Sequence, residues 1–395
     1  MKRLVATCVV VAAIGAAAAF ASGEGAAVSL ARSVCAPPQQ LGPGVSEWLN
    51  DTRTMPPTTG ELRMAMIFID FPDAPGIGEP RTIHGLFAPG LVDYYRTVSN
   101  GRLRLEVVPF AQWIRLPKPS TAYVGVHREG YDVAVKDAIA VADPLFDFGA
   151  FHGVYVVPAR DARLPIHGVT LYGHEPLRPD GAELRTAAWI FTDGIGAAEA
   201  PYITTYAIHE TIHVLGIPDQ SLPPALSTLN HWDVAATGGT IGVAGGLHAW
   251  HRWKLGWLDD AQVACLRGRG RRVATVTPLA RPGGVKALVV RSGYVAYVAE
   301  VRRRLAEDSR LCRPGVLLYA VDLRSPAQGG PVRGAVRIIP ARTDDTNRWK
   351  RCGGHWNGTF GIGRGEKSRM TVGKVKLEVL AALKDGSYRL RVTHR

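Results

Sequence analysis

After the first 21 residues no stretch is long and apolar enough to cross a bilayer as a helix, so a soluble mature chain is expected. Acidic residues are in short supply: 34 Asp and Glu stand against 47 Lys and Arg, a formal charge of +13. Most of the excess is arginine, scattered except at Arg267-Gly-Arg-Gly-Arg-Arg272 and Arg302-Arg303-Arg304. No nucleic-acid-binding module surrounds either run, so nucleic acid is not an expected partner and the charge reads as solvation or as a match to acidic surfaces. A nucleotide loop is also missing. Gly361-Ile-Gly-Arg-Gly365 has the glycines but neither a buried strand before it nor a helix after it, and reads as a turn between strands. Cysteine is limited to five and methionine to five, with no methionine between Met66 and Met370.

The N-terminus carries Lys2 and Arg3, an apolar run, and small residues at Ala19-Phe20-Ala21. This is the pattern of an export signal over residues 1–21, and it predicts a secreted protein without a stable membrane anchor. A lipoprotein signal at Cys8 is the alternative, but that cysteine falls inside the apolar run. Losing Lys2 and Arg3 takes the charge from +13 to about +11. Cys35, Cys265, Cys312 and Cys352 remain, and an even number in an exported chain favours two disulfides, with the pairing open. Cys35 has a second reading, as a metal-binding latency switch ahead of the catalytic region.

The chemistry concentrates in Tyr202–Asp219, YITTYAIHETIHVLGIPD. On a helix, His209 and His213 lie one turn apart on one face, where two ring nitrogens reach one ion. Neutral imidazoles suit zinc, and a site with three protein ligands keeps a position for water. Glu210, adjacent, is the candidate general base that takes a proton from that water. Gly216 stops the helix and turns the chain so that Asp219 returns as candidate third ligand. His231 and Asp233, in Asn230-His-Trp-Asp233, are its rivals.

Residues 22–58, rich in Ala, Ser, Pro and Gly, read as a tether or short pro-segment. Residues 59–260 read as the catalytic domain. It begins with a doubly buried strand, Met64–Phe71, and continues with a helix over Leu86–Val98, a strand over Leu103–Phe110, a helix over Tyr131–Ala142 and a strand over Gly153–Val157. Strands alternating with helices argue for an α/β fold. Asp70 and Asp73 could ligate calcium, but a solvated strand end is the simpler reading and is the one expected. Ala159–Leu184 reads as a long loop holding His167 and His174, and Ala187–Thr192 as a strand that at a sheet edge would bind an extended peptide. The tryptophans of Leu247–Trp257 are expected under the catalytic helix. Residues 261–395, with short apolar runs separated by Gly, Pro and Asp, read as a smaller β-sandwich-like domain. Asn357-Gly-Thr359 fits a glycosylation acceptor.

Taken together, MIFIDFPD, DYYRTVSNGRLRL, HETIHVLGIPD, GLHAWHRWKLGW, YVAYVAEVRRR and GVLLYAVD make the chain resemble the immune inhibitor A-type secreted metallopeptidases, a metzincin-like branch of zinc peptidases. The resemblance covers most of the mature chain. It implies an α+β peptidase domain with a twisted mixed sheet, His209, His213 and Asp219 as zinc ligands, Glu210 as base, and protein or peptide substrates. One departure stands out: where that family has an Asp-Leu-Met element, this chain has Trp232-Asp-Val-Ala235. The competing expectation is a non-catalytic secreted binding protein on a degenerate metallopeptidase scaffold.

Overall fold

A strand without polar alternation has to be buried on both faces. The computed structural model describes residues 33–42, 45–123, 129–164, 170–179, 183–192, 200–220, 232–236, 245–309, 311, 313–324, 335–341 and 358–395. In it the Met64–Phe71 run is the heart of β1 (Gly60–Asp70), which is joined by β2 (Leu103–Arg115), β3 (Gly153–Pro158), β4 (Thr170–Leu177) and β5 (Leu184–Trp189). The sheet order is β2-β1-β3-β5-β4. All pairings are parallel except β4 with β5.

Three helices cover this sheet: α1 (Pro80–Val98), α2 (Glu129–Ala142) and α3 (Ala200–Val214). Leu62, Met64, Met66 and Phe68 of β1 enter one apolar cluster with α1 and α3, whereas Ala65, Ile67 and Ile69 enter another with α2. The period of two along β1 thus divides the helices between two layers.

Two expectations change here. β5 is flanked on both sides, so it offers no free edge. The edge on that side is β4, which lies inside the segment read as a loop; its glycine, proline, histidine and glutamate leave the weak pattern usual for an edge strand. Asp70 is buried and takes two bonds of 2.7 Å from Arg115 and one of 2.8 Å from Gly76 N, while Asp73 accepts from the Ser120 amide and hydroxyl. Internal donors therefore account for both carboxylates.

Beyond residue 261 come β6 (Val263–Arg267), β7 (Gly270–Val276), β8 (Ala287–Ser292), β9 (Val295–Arg302), β10 (Gly315–Asp322), β11 (Val336–Ile338), β12 (Thr359–Phe360), β13 (Arg369–Val372), β14 (Val375–Ala382) and β15 (Tyr388–His394). They form a six-stranded sheet, β11-β10-β9-β8-β6 with β12 on β10, and a four-stranded one, β13-β14-β15-β7. Leu288, Val290, Ala299, Val301, Val316 and Leu318 of the first share a core with Leu377, Leu390 and Val392 of the second, as sandwich layers do. The other face of the six-stranded sheet, through Val289, Val298, Leu317 and Tyr319, packs on Trp232 and on Trp250 and Trp253 of α4 (Ala249–Lys254). Trp257, with Leu247 and Leu255, joins the cluster around α3. Two of the three tryptophans of Leu247–Trp257 therefore serve as a floor for the second sheet, and the third packs under the helix.

Ser33–Arg395 form one compact unit. Residues 33–58 lie on its body: Cys35 is disulfide-bonded to Cys265, and Gln39 bridges to Leu49. With its sulfur in that bond, Cys35 is not available as a latency ligand. Cys312, Cys352, Asn357, His167, His231 and the His174 side chain lie outside the described residues. Among the described residues no helix is long and apolar enough to cross a membrane.

Candidate metal centre

The end of α3 builds the site. Ile217 N donates to Ile212 O at 3.1 Å and Gly216 N to His213 O at 2.8 Å, with Gly216 at φ +86° and Ile212 and Ile217 in one apolar cluster. This is a Schellman termination, which needs a residue at ease in the left-handed region. Space demands glycine as well, because a Cβ at 216 would lie 2.6 Å from Asn50 Oδ1.

The turn that follows orients the histidines. His213 Nδ1 donates to Ile217 O and His209 Nδ1 to Val234 O, each at 2.8 Å. A carbonyl can only accept, so Nδ1 carries a proton in both rings, and Nε2 is the nitrogen each ring turns inward as a possible ligand. Those two Nε2 atoms are 3.1 Å apart. Paired lone pairs at that distance suit a shared cation. Ligand atoms of His209, His213 and Asp219 all lie within 4.8 Å of one another, so the three can hold a metal ion. Burial first, and the His209 ring second, push His213 down to about 4, which keeps it in the neutral, ligating form at neutral pH. Glu210, at the helical position after His209, is buried as well.

Asp233, a rival ligand by sequence, is otherwise engaged. Its Oδ1 accepts from Ala235 N at 2.9 Å, and its Oδ2 from His248 N at 2.6 Å and His251 Nδ1 at 2.7 Å. It thereby shapes the 232–236 turn, whose Val234 carbonyl holds His209. Val234 and Ala235 are fully buried in the cluster of Ile208 and Ile212.

Several supporting residues escape sequence reasoning. Asn50 Nδ2 donates to Leu215 O at 2.8 Å, and Lys254 Nζ donates to Asn50 Oδ1 at 2.8 Å and Gly216 O at 2.5 Å, capping the last carbonyls of α3. His251, fully buried, sits between Asp233 and Glu47, whose carboxylate lies 3.2 Å from His251 Nε2. Burial opposes its protonation, but the two carboxylates outweigh that and hold it at about 10. Glu300 of β9 accepts from Ala249 N at 2.6 Å and Tyr319 hydroxyl at 2.8 Å, fixing the start of α4. The signal was present: His248, His251, Arg252 and Lys254 stand in a tryptophan-rich segment, and charges buried with such a segment require partners.

No family model matches the chain, and no curated protein matches its sequence. Among solved structures it is similar to wild-type OgpA from Akkermansia muciniphila, at 12% identity and a TM-score of 0.32, over 64% of this chain and 74% of that one. That likeness is too distant to carry an argument about the site.

Proposed function

We propose that the chain is a secreted zinc-dependent endopeptidase, with residues 59–260 as its catalytic domain and residues 261–395 as a β-rich support. The observation that carries this reading is the convergence of two Nδ1-protonated imidazoles and the Asp219 carboxylate, with Glu210 buried at the helical position after His209. Two nitrogens and one carboxylate oxygen form a donor set that fits zinc, and His209, His213 and Asp219 would hold it. When bound, the ion supplies Lewis acidity that polarises a carbonyl and acidifies water.

The remaining steps belong to the chain. Val234 O and Ile217 O fix the two rings so that neither has to reorganise. Glu210 accepts a proton from the attacking water on its carboxylate and returns it to the leaving amine. Export is supported by the N-terminal charge and apolar run and by the Cys35–Cys265 disulfide.

The test is Glu210→Gln beside wild type, with metal content measured and a broad peptide library digested. Wild type should carry one zinc per chain and cleave peptides. The variant should keep the zinc and lose about 10²–10⁴-fold of the rate. Zinc bound by wild type with no peptide cleaved would favour the non-catalytic binding protein instead, and equal rates in both would remove Glu210 from the mechanism.

A further inference from the structure

Residues 33–58 look dispensable in sequence, yet they send a charged side chain into the interior. Glu47 is 2% exposed. One of its carboxylate oxygens accepts from Gln220 Nε2 at 2.7 Å, and the other lies 3.2 Å from His251 Nε2. Each contact leads to one half of the candidate metal centre. Gln220 is the neighbour of Asp219, and its backbone N–H donates to Ala235 O at 3.1 Å. His251 holds Asp233, which shapes the turn that supplies Val234 O to His209. Three residues further along, Asn50 caps the helix that carries both histidines. A short stretch of chain more than 150 residues upstream of the motif therefore touches the helix end, the Asp219 segment and the support of the 232–236 turn.

A carboxylate is costly to bury, and the cost is met only where donors converge on it. Here desolvation is offset first by the His251 ring, then by the charge of Lys254 and the Gln220 amide, and Glu47 is held below the usual carboxylate range. An apolar residue would fill the same space without that penalty. What the carboxylate adds is orientation, since one oxygen accepts from Gln220 while the other faces the His251 ring as an ion pair at 3.2 Å, and the two directions fix two segments relative to one another.

We propose that residues Ser46–Asn50 are a built-in wall of the metal centre, with Glu47 as a positioning residue that locks the Asp219 segment to the 232–236 turn. The inference rests on the reading of His209, His213 and Asp219 as metal ligands. It makes residues 33–58 part of the working protein and not a removable pro-segment, and the Cys35–Cys265 disulfide anchors them to β6.

The experiment uses the full chain as wild type, Glu47→Ala and Glu47→Gln. Zinc affinity is measured by chelator competition, and thermal unfolding is followed on the metal-free proteins. Glu47→Ala should weaken zinc about 10- to 100-fold, the range for groups that orient ligands from behind. Glu47→Gln keeps an acceptor for Gln220 and an amide that can donate to a neutral His251, so it should recover most of the affinity. Recovery by glutamine, at a metal-free melting temperature similar to that of the alanine variant, marks positioning as distinct from bulk stability. Wild-type affinity in Glu47→Ala overturns the proposal, as does a loss of affinity that only tracks the metal-free melting temperature. If wild type itself takes up no zinc, the reading of the site fails first, and this inference falls with it.

Discussion

His209 and His213 face one another through Nε2 atoms 3.1 Å apart, while the Nδ1 of each is tied to a backbone carbonyl. The two carbonyls come from different places, Ile217 just past the helix and Val234 in a turn that follows later in the chain. The pair is therefore aimed by structure on both sides of the motif, and each side can be tested separately.

Asp219 and Asp233 should separate cleanly. Asp219 is half-buried and its carboxylate converges with the histidines, so Asp219→Ala should weaken zinc on the order of 100-fold while the metal-free protein melts near wild type. Asp233→Asn places an amide where His248 N and His251 Nδ1 donate, and strips a buried imidazolium of one anion. That should cost about 3–5 kcal/mol of folding stability, seen in urea unfolding without metal. A folded Asp233→Asn that has lost zinc, beside an Asp219→Ala that keeps it, would reverse the ligand assignment.

Gly216→Ala should be far worse than Gly256→Ala. Both glycines have positive φ, +86° and +76°, so both variants pay the left-handed penalty of about 1–2 kcal/mol. At 256 a Cβ would only reach ordinary contact with Thr59 at 3.4 Å, but at 216 it would meet Asn50 Oδ1 at 2.6 Å. Displacing Asn50 frees Leu215 O and removes a partner of Lys254. Unfolding free energies and zinc affinities of the two variants are the measurement, and equal losses would mean that Asn50 yields without consequence.

The sequence was most legible where period and local motif coincide. The doubly buried β1, the helix ending at Gly216, the i,i+4 histidines and the short strands after residue 261 all announce themselves within a dozen residues. β4 did not, because an edge strand needs neither continuous apolar character nor strict alternation. The partners of Glu47, Asn50, His251 and Lys254 were illegible for another reason. Each acts across a long separation in sequence, as in the contacts of Glu47 with Gln220 and His251, and no local pattern encodes such a pairing. Asp219 and Asp233 lie between these cases: the glycine turn that leads to Asp219 is readable, but the three donors that occupy Asp233 are not.

Lys254 and His251 titrate in opposite senses within one buried cluster, and this predicts a pH signature. Burial drives Lys254 from 10.5 down to about 7, so between those values the unfolded chain binds the proton and the folded one does not. Stability then rises with pH across that window. His251 is held at about 10 against an ordinary 6.5, so its contribution is complete below 6.5 and is lost as pH rises through 10. Over roughly pH 7–10 the two slopes oppose each other, and the wild-type profile should be nearly flat with respect to this pair. Lys254→Met keeps the apolar stem and removes only the rising slope. Beyond a constant offset for the lost bonds to Asn50 and Gly216, the variant should lose stability relative to wild type as pH increases, by up to about 1.4 kcal/mol per pH unit. Urea unfolding of the metal-free proteins at several values between pH 7 and 10 reads that difference, in which all other titrating groups cancel. Parallel profiles for the two proteins would show that Lys254 keeps an ordinary ammonium inside the fold, and the opposed titration would have to be abandoned.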